Sequence, residues 1–165
     1  MEGNLMSSII LRNVNEDDLP IFFKYQQNRE ANYMAAFTSK DHNDWDSFLT
    51  HWTKILMNED FIKQTIIVDS NVVGHILKFE QFGEPEVSYW IGKEYWGKGI
   101  ATKALREFLK HISIRPRYAR AAKDNAGSLK VLEKCGFVIT GEDSGFSNAR
   151  GEDVEEFILT LDKNE

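Results

Sequence analysis

The order of helical and strand-like segments predicts an α+β or mixed α/β fold, and three observations support this prediction. The chain has 165 residues, of which 42% are hydrophobic, with 11 Phe and 4 Trp, which is enough apolar material for one packed core. Helical and strand-like periods follow one another without the regular alternation of a doubly wound parallel sheet. No linker, repeat or low-complexity tract is visible, so residues 1–165 are interpreted as a single domain.

The first third of the chain predicts one strand and three helices. The segment SIILRNV is predicted to be a short strand with Ile9 and Leu11 on one face. A helix should follow in NEDDLPIFFKYQQN, because Asn15 is a good N-cap and the acidic residues after it suit the positive end of a helix dipole. Two further helices are predicted at about 29–37 and 44–57, the latter with large apolar residues at amphipathic spacing.

The rest of the chain is richer in strand signals. Two β-rich runs flank Asp69-Ser70-Asn71, a hairpin signal, and EVSYWIG is a third predicted strand. A strongly amphipathic helix is predicted from Lys98 to His111. RYARAAK is predicted to be a strand and NAGSLKVLEKCGF a helix that ends at Gly136. FVITGEDSGF and EDVEEFILTL are predicted to form a final antiparallel pair.

Charge and composition argue against several classes of protein. A net charge of −6 disfavours nonspecific nucleic-acid binding, which needs a basic face, and is compatible with a cationic substrate such as an amine. No apolar run is long enough to cross a bilayer, and the start MEGNLMSSII lacks the basic region of a secretion signal, so we expect a cytoplasmic protein without a membrane partner. Cys135 is the single cysteine and the four histidines are widely separated, so no metal site is expected.

The stretch IGKEYWGKGIAT, residues 91–102, places glycines directly before a predicted helix. Gly97 and Gly99 lack a Cβ, so successive N–H groups can point into one concavity, and the helix start adds its positive dipole end. This arrangement suits a pyrophosphate, with Lys98 and Lys103 as nearby cations. A glycine-rich turn without a ligand is the alternative interpretation.

Two well-known glycine motifs fit this stretch incompletely. The P-loop pattern matches from Gly92 to Lys98 but fails at the next position, where Gly99 replaces the hydroxyl that would hold magnesium. The dinucleotide fingerprint lacks its third small residue, because Thr102 stands there, and it lies in the middle of the chain rather than in a first βαβ unit. Nucleotide binding through a P-loop therefore remains a distant alternative.

The segment EVSYWIGKEYWGKGIATKALREFL resembles motif A of the GNAT superfamily, the Gcn5-related N-acetyltransferases, and its RimJ/RimL-type branch in particular. The segment DNAGSLKVLEKCGF resembles the second hallmark of that family, an Asn, a Ser three residues later and a helix ending in Gly-Phe. By element order the resemblance extends over 9–161, and it is sharp between about 86 and 137. Trp96 departs from the family pattern, in which Gln or Arg is usual.

The resemblance implies the GNAT fold, a mostly antiparallel central sheet with a splayed parallel pair and helices on both faces. It implies an acetyl-CoA-dependent N-acetyltransferase in which a primary amine attacks acetyl-CoA directly in a ternary complex, without a metal. The diphosphate is expected on the backbone of Gly97, Lys98, Gly99, Ile100, Ala101 and Thr102, and the pantetheine arm along Tyr89, Trp90 and Ile91. The acceptor is expected to be a protein N-terminus or a small amine, and a homodimer is a family-level expectation.

The resemblance also suggests which side chains take part in the chemistry. Asn125 matches an Asn that contacts the pantetheine arm; a helix N-cap or turn residue is the alternative, and both roles can hold at once. Ser128 matches a Ser that is proposed in some relatives to protonate the leaving thiolate, whereas Leu132 occupies the position where many relatives carry a Tyr acid. Glu86 stands where some members carry a catalytic Glu and is the predicted general base; an exposed strand-end carboxylate is the alternative.

The sequence gives less information about the acceptor site than about the rest of the candidate site. Residues 29–57 are expected to shape it, and His75, Tyr33 and Trp45 are considered as lining residues, although a structural role is the simpler interpretation of a single strand histidine. The missing Tyr acid and the uncertain base also leave open a second function from another class. That alternative is a catalytically weak module that binds CoA as a sensor without turnover.

Overall fold

The computed structural model describes residues 8–162, which form a seven-stranded sheet with five helices. The strands are β1 (Ile9–Asn13), β2 (Ile62–Val68), β3 (Asn71–Gln81), β4 (Glu84–Ile91), β5 (Arg117–Ala122), β6 (Val138–Ser147) and β7 (Glu152–Leu161). The helices are α1 (Leu19–Gln26), α2 (Arg29–Ala35), α3 (Trp45–Met57), α4 (Ile100–Lys110) and α5 (Ala126–Lys134), with short 3-10 turns at Glu16–Asp18 and Lys93–Tyr95. The secretion-signal prediction rests largely on residues 1–7, which lie outside the described residues.

The sheet has the order β1-β2-β3-β4-β5-β7-β6 and is antiparallel except between β4 and β5. These two central strands run parallel and share a single registered pair, Glu86 with Tyr118. Beyond that pair β4 and β5 separate, whereas the whole length of β4 pairs with β3. The predicted mixed, mostly antiparallel sheet with a splayed parallel pair is therefore confirmed.

Helices cover both faces of the sheet, as predicted. On one face α4 and α5 pack on a largely aliphatic core that includes Ile76, Leu105 and Leu159, each fully buried. On the other face α1 and α3 enclose a cluster dominated by rings, the aromatic cluster, whose buried members are Leu19, Phe22, Phe48, Trp52, Ile55 and Leu77. Burial of apolar side chains on both faces explains why the sheet needs helices on each.

Two helices begin or end at residues other than the predicted ones, because neighbouring residues have positive φ angles. The helix predicted from Lys98 begins at Ile100, because Gly97 and Gly99 have φ angles of 76° and 78° and therefore cannot be part of a right-handed helix. The helix predicted to reach residue 37 ends at Ala35, and Ala36 has a φ of 66°. The predicted hairpin at Asp69-Ser70-Asn71 is confirmed, with positive φ at the first two of these residues.

The first predicted helix divides into two elements. Asn15 caps the 3-10 turn through a reciprocal capping box with Asp18, and α1 starts directly afterwards with Pro20 in its first turn. None of the helices between residues 8 and 162 is long and apolar enough to cross a membrane.

Candidate functional site

A groove of about 750 Å³ opens where β4 and β5 separate. Its walls come from α2, β4, β5, the loop before α4, the first turn of α4, and α5. All predicted site residues line it except Lys98 and Glu86; the lining members are Tyr89, Trp90, Ile91, Gly97, Gly99, Ile100, Ala101, Thr102, Asn125 and Ser128. A second, shallower depression of about 370 Å³ on α3 contains none of them.

One end of the groove is the glycine-rich loop that precedes α4. The N-cap of α4 is Gly99, which has no side chain to cap the helix, and the first helical backbone bond runs from Lys103 N to Gly99 O at 3.2 Å. The amides of Ile100, Ala101 and Thr102 therefore precede the first internal bond of the helix. Uncapped amides at the positive end of a helix dipole are groups that can bind an anion.

Trp96, which departs from the family pattern, braces this loop. Its indole Nε1 donates to the carbonyl of Ile91 at 2.9 Å, at the end of β4, and the ammonium of Lys93 lies 5.3 Å from its ring. Gly92 packs so closely on Tyr25 that a Cβ at this glycine would lie 2.7 Å from the tyrosine ring. The loop is thus held by a side chain and a close approach rather than by a cation at position 96.

The middle of the groove is the unpaired edge of β4. Its residues 87–91 have registered partners on β3 but none on β5. A strand edge that is not paired within a sheet presents its backbone N–H and C=O groups to whatever lies beside it. Small side chains on the opposite wall, Ala119, Ala121 and Ala122 of β5, leave room for an extended ligand.

Two hydroxyl groups meet at the wall between β4 and α5. The phenol of Tyr89 and the hydroxyl of Ser128 are 3.1 Å apart and form a hydrogen bond. Burial raises the pKa of Tyr89 to about 12, so the phenol keeps its proton near neutral pH. Leu132, at the position where many relatives carry a tyrosine, is buried in the aliphatic core and offers no proton.

Asn125 joins two walls of the groove. Its Oδ1 accepts a hydrogen bond from the amide of Ser128 at 3.1 Å, which caps α5, and its Nδ2 donates to the carbonyl of Met34 at 3.3 Å on α2. Both ends of the side-chain amide are therefore used within the protein. The helix-cap interpretation of Asn125 is confirmed, and its side chain also fixes α2 next to α5.

Glu86 is a buried ion-pair partner rather than an exposed strand-end carboxylate. Gln81 Nε2 donates to both of its carboxylate oxygens at 3.2 Å, and Arg120 Nε lies 3.3 Å away. Burial raises the pKa of Glu86, and the hydrogen bond from Gln81 and the charge of Arg120 oppose that rise. Arg120 lines the groove whereas Glu86 does not.

Arg120 is surrounded by more negative than positive charge. Its Nη1 donates to Glu156 at 2.8 Å and to Asp143 at 3.0 Å, in addition to the contact with Glu86. The ring of Phe82 lies 4.9 Å from its guanidinium carbon. Three carboxylates around one guanidinium leave an acidic environment beside the groove.

The residues considered for the acceptor site lie in different places. His75 is buried between the rings of Phe22 and Trp52, at 4.7 and 4.9 Å, and burial lowers its pKa to about 3. Trp45 stacks on Phe48 beside the aromatic cluster. His75, Tyr33 and Trp45 are all absent from the groove wall. Within residues 29–57, α2 supplies groove residues and α3 does not.

Sequence reasoning missed the contacts that hold α2 against the groove. Arg150, in the turn between β6 and β7, forms a bidentate pair with Asp124 at 2.7 and 2.9 Å, and its Nε donates to the carbonyl of Tyr33 at 2.8 Å. The Arg150 and Tyr33 positions are 117 residues apart in the chain, so no local pattern could have paired them. Among residues 8–162 no group of three or more His, Cys, Asp or Glu side chains is arranged to hold a metal ion.

Comparison with known proteins relates both the sequence and the fold to acetyltransferases. Residues 8–138, more than half of the chain, match the family described as an acetyltransferase (GNAT) domain. The curated "Uncharacterized N-acetyltransferase p20" of Bacillus licheniformis is 24% identical over 90 residues, 52% of this chain and 51% of that protein. "Putative ribosomal N-acetyltransferase YdaF" of Bacillus subtilis (strain 168) is 28% identical over 104 residues, 59% and 57% of the two chains. The matches thus span little more than half the length of these relatives.

A solved structure of similar fold contains a bound coenzyme. The spermidine N-acetyltransferase from Vibrio cholerae, in complex with CoA and spermine, superposes with a TM-score of 0.77 at 21% identity. The superposition covers 94% of this chain and 96% of that one. At this level of identity the likeness establishes a shared fold.

Proposed function

Because the chain belongs to the GNAT acetyltransferase domain family, a family of acyltransferases, we propose that it transfers the acetyl group of acetyl-CoA to a primary amine. The observation that carries the proposal is the continuity of the groove. The uncapped start of α4 lies at one end, and the unpaired edge of β4 runs away from it. A diphosphate and an extended amide-containing arm are the chemical groups that these two surfaces suit.

The residues of the groove fit acetyl-CoA in charge and in hydrogen-bonding capacity. The amides of residues 97–102 would hold the diphosphate, and Lys98 and Lys103 stand in the same segment as cations. The free backbone groups beside Tyr89, Trp90 and Ile91 would bond the amides of the pantetheine arm. Bound in this way, acetyl-CoA supplies a thioester to the point where the groove reaches Ser128.

Two side chains are assigned roles in proton transfer. Glu86 takes the proton of the ammonium group, and because its carboxylate does not line the groove, this transfer passes through a water molecule. A pKa raised by burial makes it a better base than an exposed carboxylate. Ser128, at the start of α5 on the groove wall, donates a hydrogen bond to the leaving sulfur. Direct attack of the amine in a ternary complex requires no covalent enzyme intermediate.

The acceptor is proposed to be a cationic amine, either a small molecule or a protein N-terminus. Glu30 of α2, which pairs with Lys93 at 3.4 Å, lines the groove, and the carboxylates Glu86, Asp143 and Glu156 surround Arg120 on its wall. This charge favours the approach of a positively charged acceptor. The name of one relative refers to the ribosome and that of a structural neighbour to spermidine, so both types of acceptor belong in a test.

The proposal is tested by the release of free thiol from acetyl-CoA in the presence of an amine panel. The panel contains spermidine, spermine, an aminoglycoside and peptides with a free α-amino group. We expect amine-dependent thiol release and an acetylated product by mass spectrometry. An N-terminally blocked peptide without lysine is the matched control and should give no release.

A second function, a CoA-binding sensor without turnover, is supported by Leu132 and by the ion pair of Glu86. With Leu132 at its position, α5 has no tyrosine that could act as the acid. The ion pair with Arg120 engages the carboxylate of Glu86, the proposed base. The sensor predicts micromolar CoA binding by calorimetry with no thiol release across the panel. Magnesium-dependent ATP binding with weak CoA affinity would instead favour the P-loop alternative.

Three further expectations rest on the sequence, the first and third through the family resemblance and the second through the composition and the first residues of the chain. We expect the RimJ/RimL-type branch, a cytoplasmic location and a homodimer. Sedimentation equilibrium of the purified chain tests the last of these, and a monomer at micromolar concentration would reject it.

A further inference from the structure

Tyr89 and Ser128 connect the unpaired segment of β4 to the first turn of α5. Their oxygens are 3.1 Å apart, and both residues line the groove. The two positions lie 39 residues apart in the chain, so their contact is a product of the fold. A pair of hydroxyl groups that meets at the wall of a proposed reaction site is a candidate for proton handling.

The surroundings of the pair determine which hydroxyl donates. The backbone of Ser128 is fixed by Asn125, because the Ser128 amide donates to Asn125 Oδ1 at 3.1 Å. Asn125 in turn donates a hydrogen bond from Nδ2 to the carbonyl of Met34 on α2. A buried phenol near neutral pH is a donor with one proton, and within residues 8–162 its hydrogen-bond partner is the Ser128 hydroxyl. If Tyr89 donates to Ser128 Oγ, the serine proton is free to point into the groove.

We propose that Tyr89 is a positioning residue that directs the Ser128 hydroxyl toward the sulfur atom that leaves when the acetyl group is transferred. This inference rests on the proposed function and assigns a role to a side chain for which only backbone contacts were predicted. Leu132 of α5 is buried and has no hydroxyl group. The tyrosine hydroxyl beside Ser128 therefore comes from Tyr89 of β4.

The step is balanced in atoms and charge. The bond between the acceptor nitrogen and the acetyl carbon forms, and the carbon–sulfur bond breaks with its electron pair remaining on sulfur. Ser128 shares its proton with the sulfur while the negative charge develops, and Tyr89 shares its own with Ser128 Oγ. The released thiolate takes its proton from water, the nitrogen gives one to water, and both hydroxyls end unchanged.

A double-mutant cycle tests whether Tyr89 acts through Ser128. The variants are Tyr89→Phe, Ser128→Ala and the combination, with Tyr118→Phe as a matched control on the adjacent strand outside the groove. We expect Ser128→Ala to lower kcat about tenfold and Tyr89→Phe about fivefold, at unchanged KM for acetyl-CoA, because one hydrogen bond to a developing charge has this order of effect. The double variant should be no slower than Ser128→Ala. Additive losses would overturn the inference, because Tyr89 would then act independently.

A change of leaving group separates a role in chemistry from a role in packing. Acetyl-seleno-CoA replaces the leaving thiolate by a selenolate, which leaves more readily and needs less help from a donor. The ratio of kcat of the unaltered protein to kcat of Tyr89→Phe or Ser128→Ala should therefore fall toward one with this substrate. Equal deficits with both substrates would show that the substitutions merely disturb the groove, and they would overturn the inference.

The result also distinguishes this inference from the proposed function. Assays use spermidine and a peptide with a free α-amino group, and CoA affinity and thermal unfolding are measured for every variant. If the unaltered protein releases no thiol with any amine of the panel, both proposals fail. If it turns over and Tyr89→Phe matches it in kcat, only the positioning role of Tyr89 is rejected.

Discussion

The groove and the aromatic cluster lie on the same sheet but differ in the share of small residues beside the strands. The walls of the groove include glycine, alanine and serine at many positions, among them Gly97, Gly99, Ala121 and Ser128. The aromatic cluster between the sheet and helices α1 and α3 is filled by rings: the centroid of Trp52 lies 5.2 Å from that of Phe22 and 6.2 Å from that of Phe48. Small residues beside separating strands leave a space, whereas interlocking rings remove it. The comparison therefore predicts that stability and ligand binding can be changed separately.

The largest expected effect is a loss of stability in the aromatic cluster. Trp52→Ala removes a ring that is 3% exposed and contacts Phe22 and His75, so the free energy of unfolding should fall by about 3–5 kcal/mol. Urea denaturation at low temperature measures this loss. Leu49→Ala, on the same helix but 38% exposed, is the matched control and should change stability little. A large loss of CoA affinity in folded Trp52→Ala would contradict the separation of the two regions.

The next largest effect concerns the cradle, by which we mean the backbone amides of residues 97–102 around the start of α4. Gly99→Val places a β-branched residue at a φ of 78° and moves the amides of the helix start. It should weaken CoA binding about 100-fold, because left-handed strain costs about 1–3 kcal/mol and each tenfold in affinity is about 1.4 kcal/mol. Calorimetric titration with CoA measures the change.

Gly83→Val is the matched control for the cradle. Gly83 has a φ of 76° in the turn between β3 and β4, with no atoms within 4 Å of an added Cβ. It carries the same backbone strain but lies outside the groove, so CoA affinity should stay within about twofold. If both valine variants lose affinity equally, the effect is general strain and the cradle is not the binding site.

A smaller effect on stability depends on pH and on a buried carboxylate beside the aromatic cluster. Burial opposes ionisation of Asp18, but hydrogen bonds from Arg12, Thr65 and the amide of Asn15 hold its pKa below the usual value. A lowered pKa stabilises the fold at pH values above the unfolded pKa near 3.8, and this contribution is lost as the pH falls through the lower folded pKa.

Asp18→Asn should therefore lower the free energy of unfolding by about 2 kcal/mol at neutral pH. The difference from the unaltered protein should narrow in acid, below the unfolded pKa of the carboxyl group. Urea titrations at several pH values measure both quantities. Asp17→Asn, one residue earlier and exposed, is the control. A difference that does not change with pH would show that the Asp18 charge contributes nothing.

The smallest expected effect is on the acid side of the pH–rate profile. If Glu86 is the base, activity falls as the pH decreases through its raised pKa, because the protonated carboxyl cannot accept a proton. Glu86→Gln should remove that inflection and lower kcat/KM about tenfold at neutral pH. Glu84→Gln, near the start of the same strand, should keep the profile of the unaltered protein. An identical profile for Glu86→Gln would remove Glu86 from the mechanism.

The sequence was most informative where function depends on local backbone geometry. Gly97 and Gly99 predicted a cradle from two positions alone, because only glycine readily adopts the left-handed conformation that turns the amides inward. The hairpin at Asp69-Ser70-Asn71 was predicted from the two β-rich runs beside it. The end of α5 was predicted from Gly136, which has a φ of 98° and lies two residues beyond the last helical residue, Lys134. In each case the determining interactions lie within a few residues.

The sequence by itself therefore determined the order of elements, the left-handed glycines before α4 and the family. Only the tertiary structure decided that Glu86 is buried against Arg120, that Asn125 bridges α5 and α2, and that Tyr89 reaches Ser128. The physical reason is that these contacts join residues 34 to 91 positions apart, and side-chain burial and pairing at that range depend on how the strands register and separate. Local propensities carry no information about such register, so the charge state and partners of these side chains became apparent only in the folded sheet.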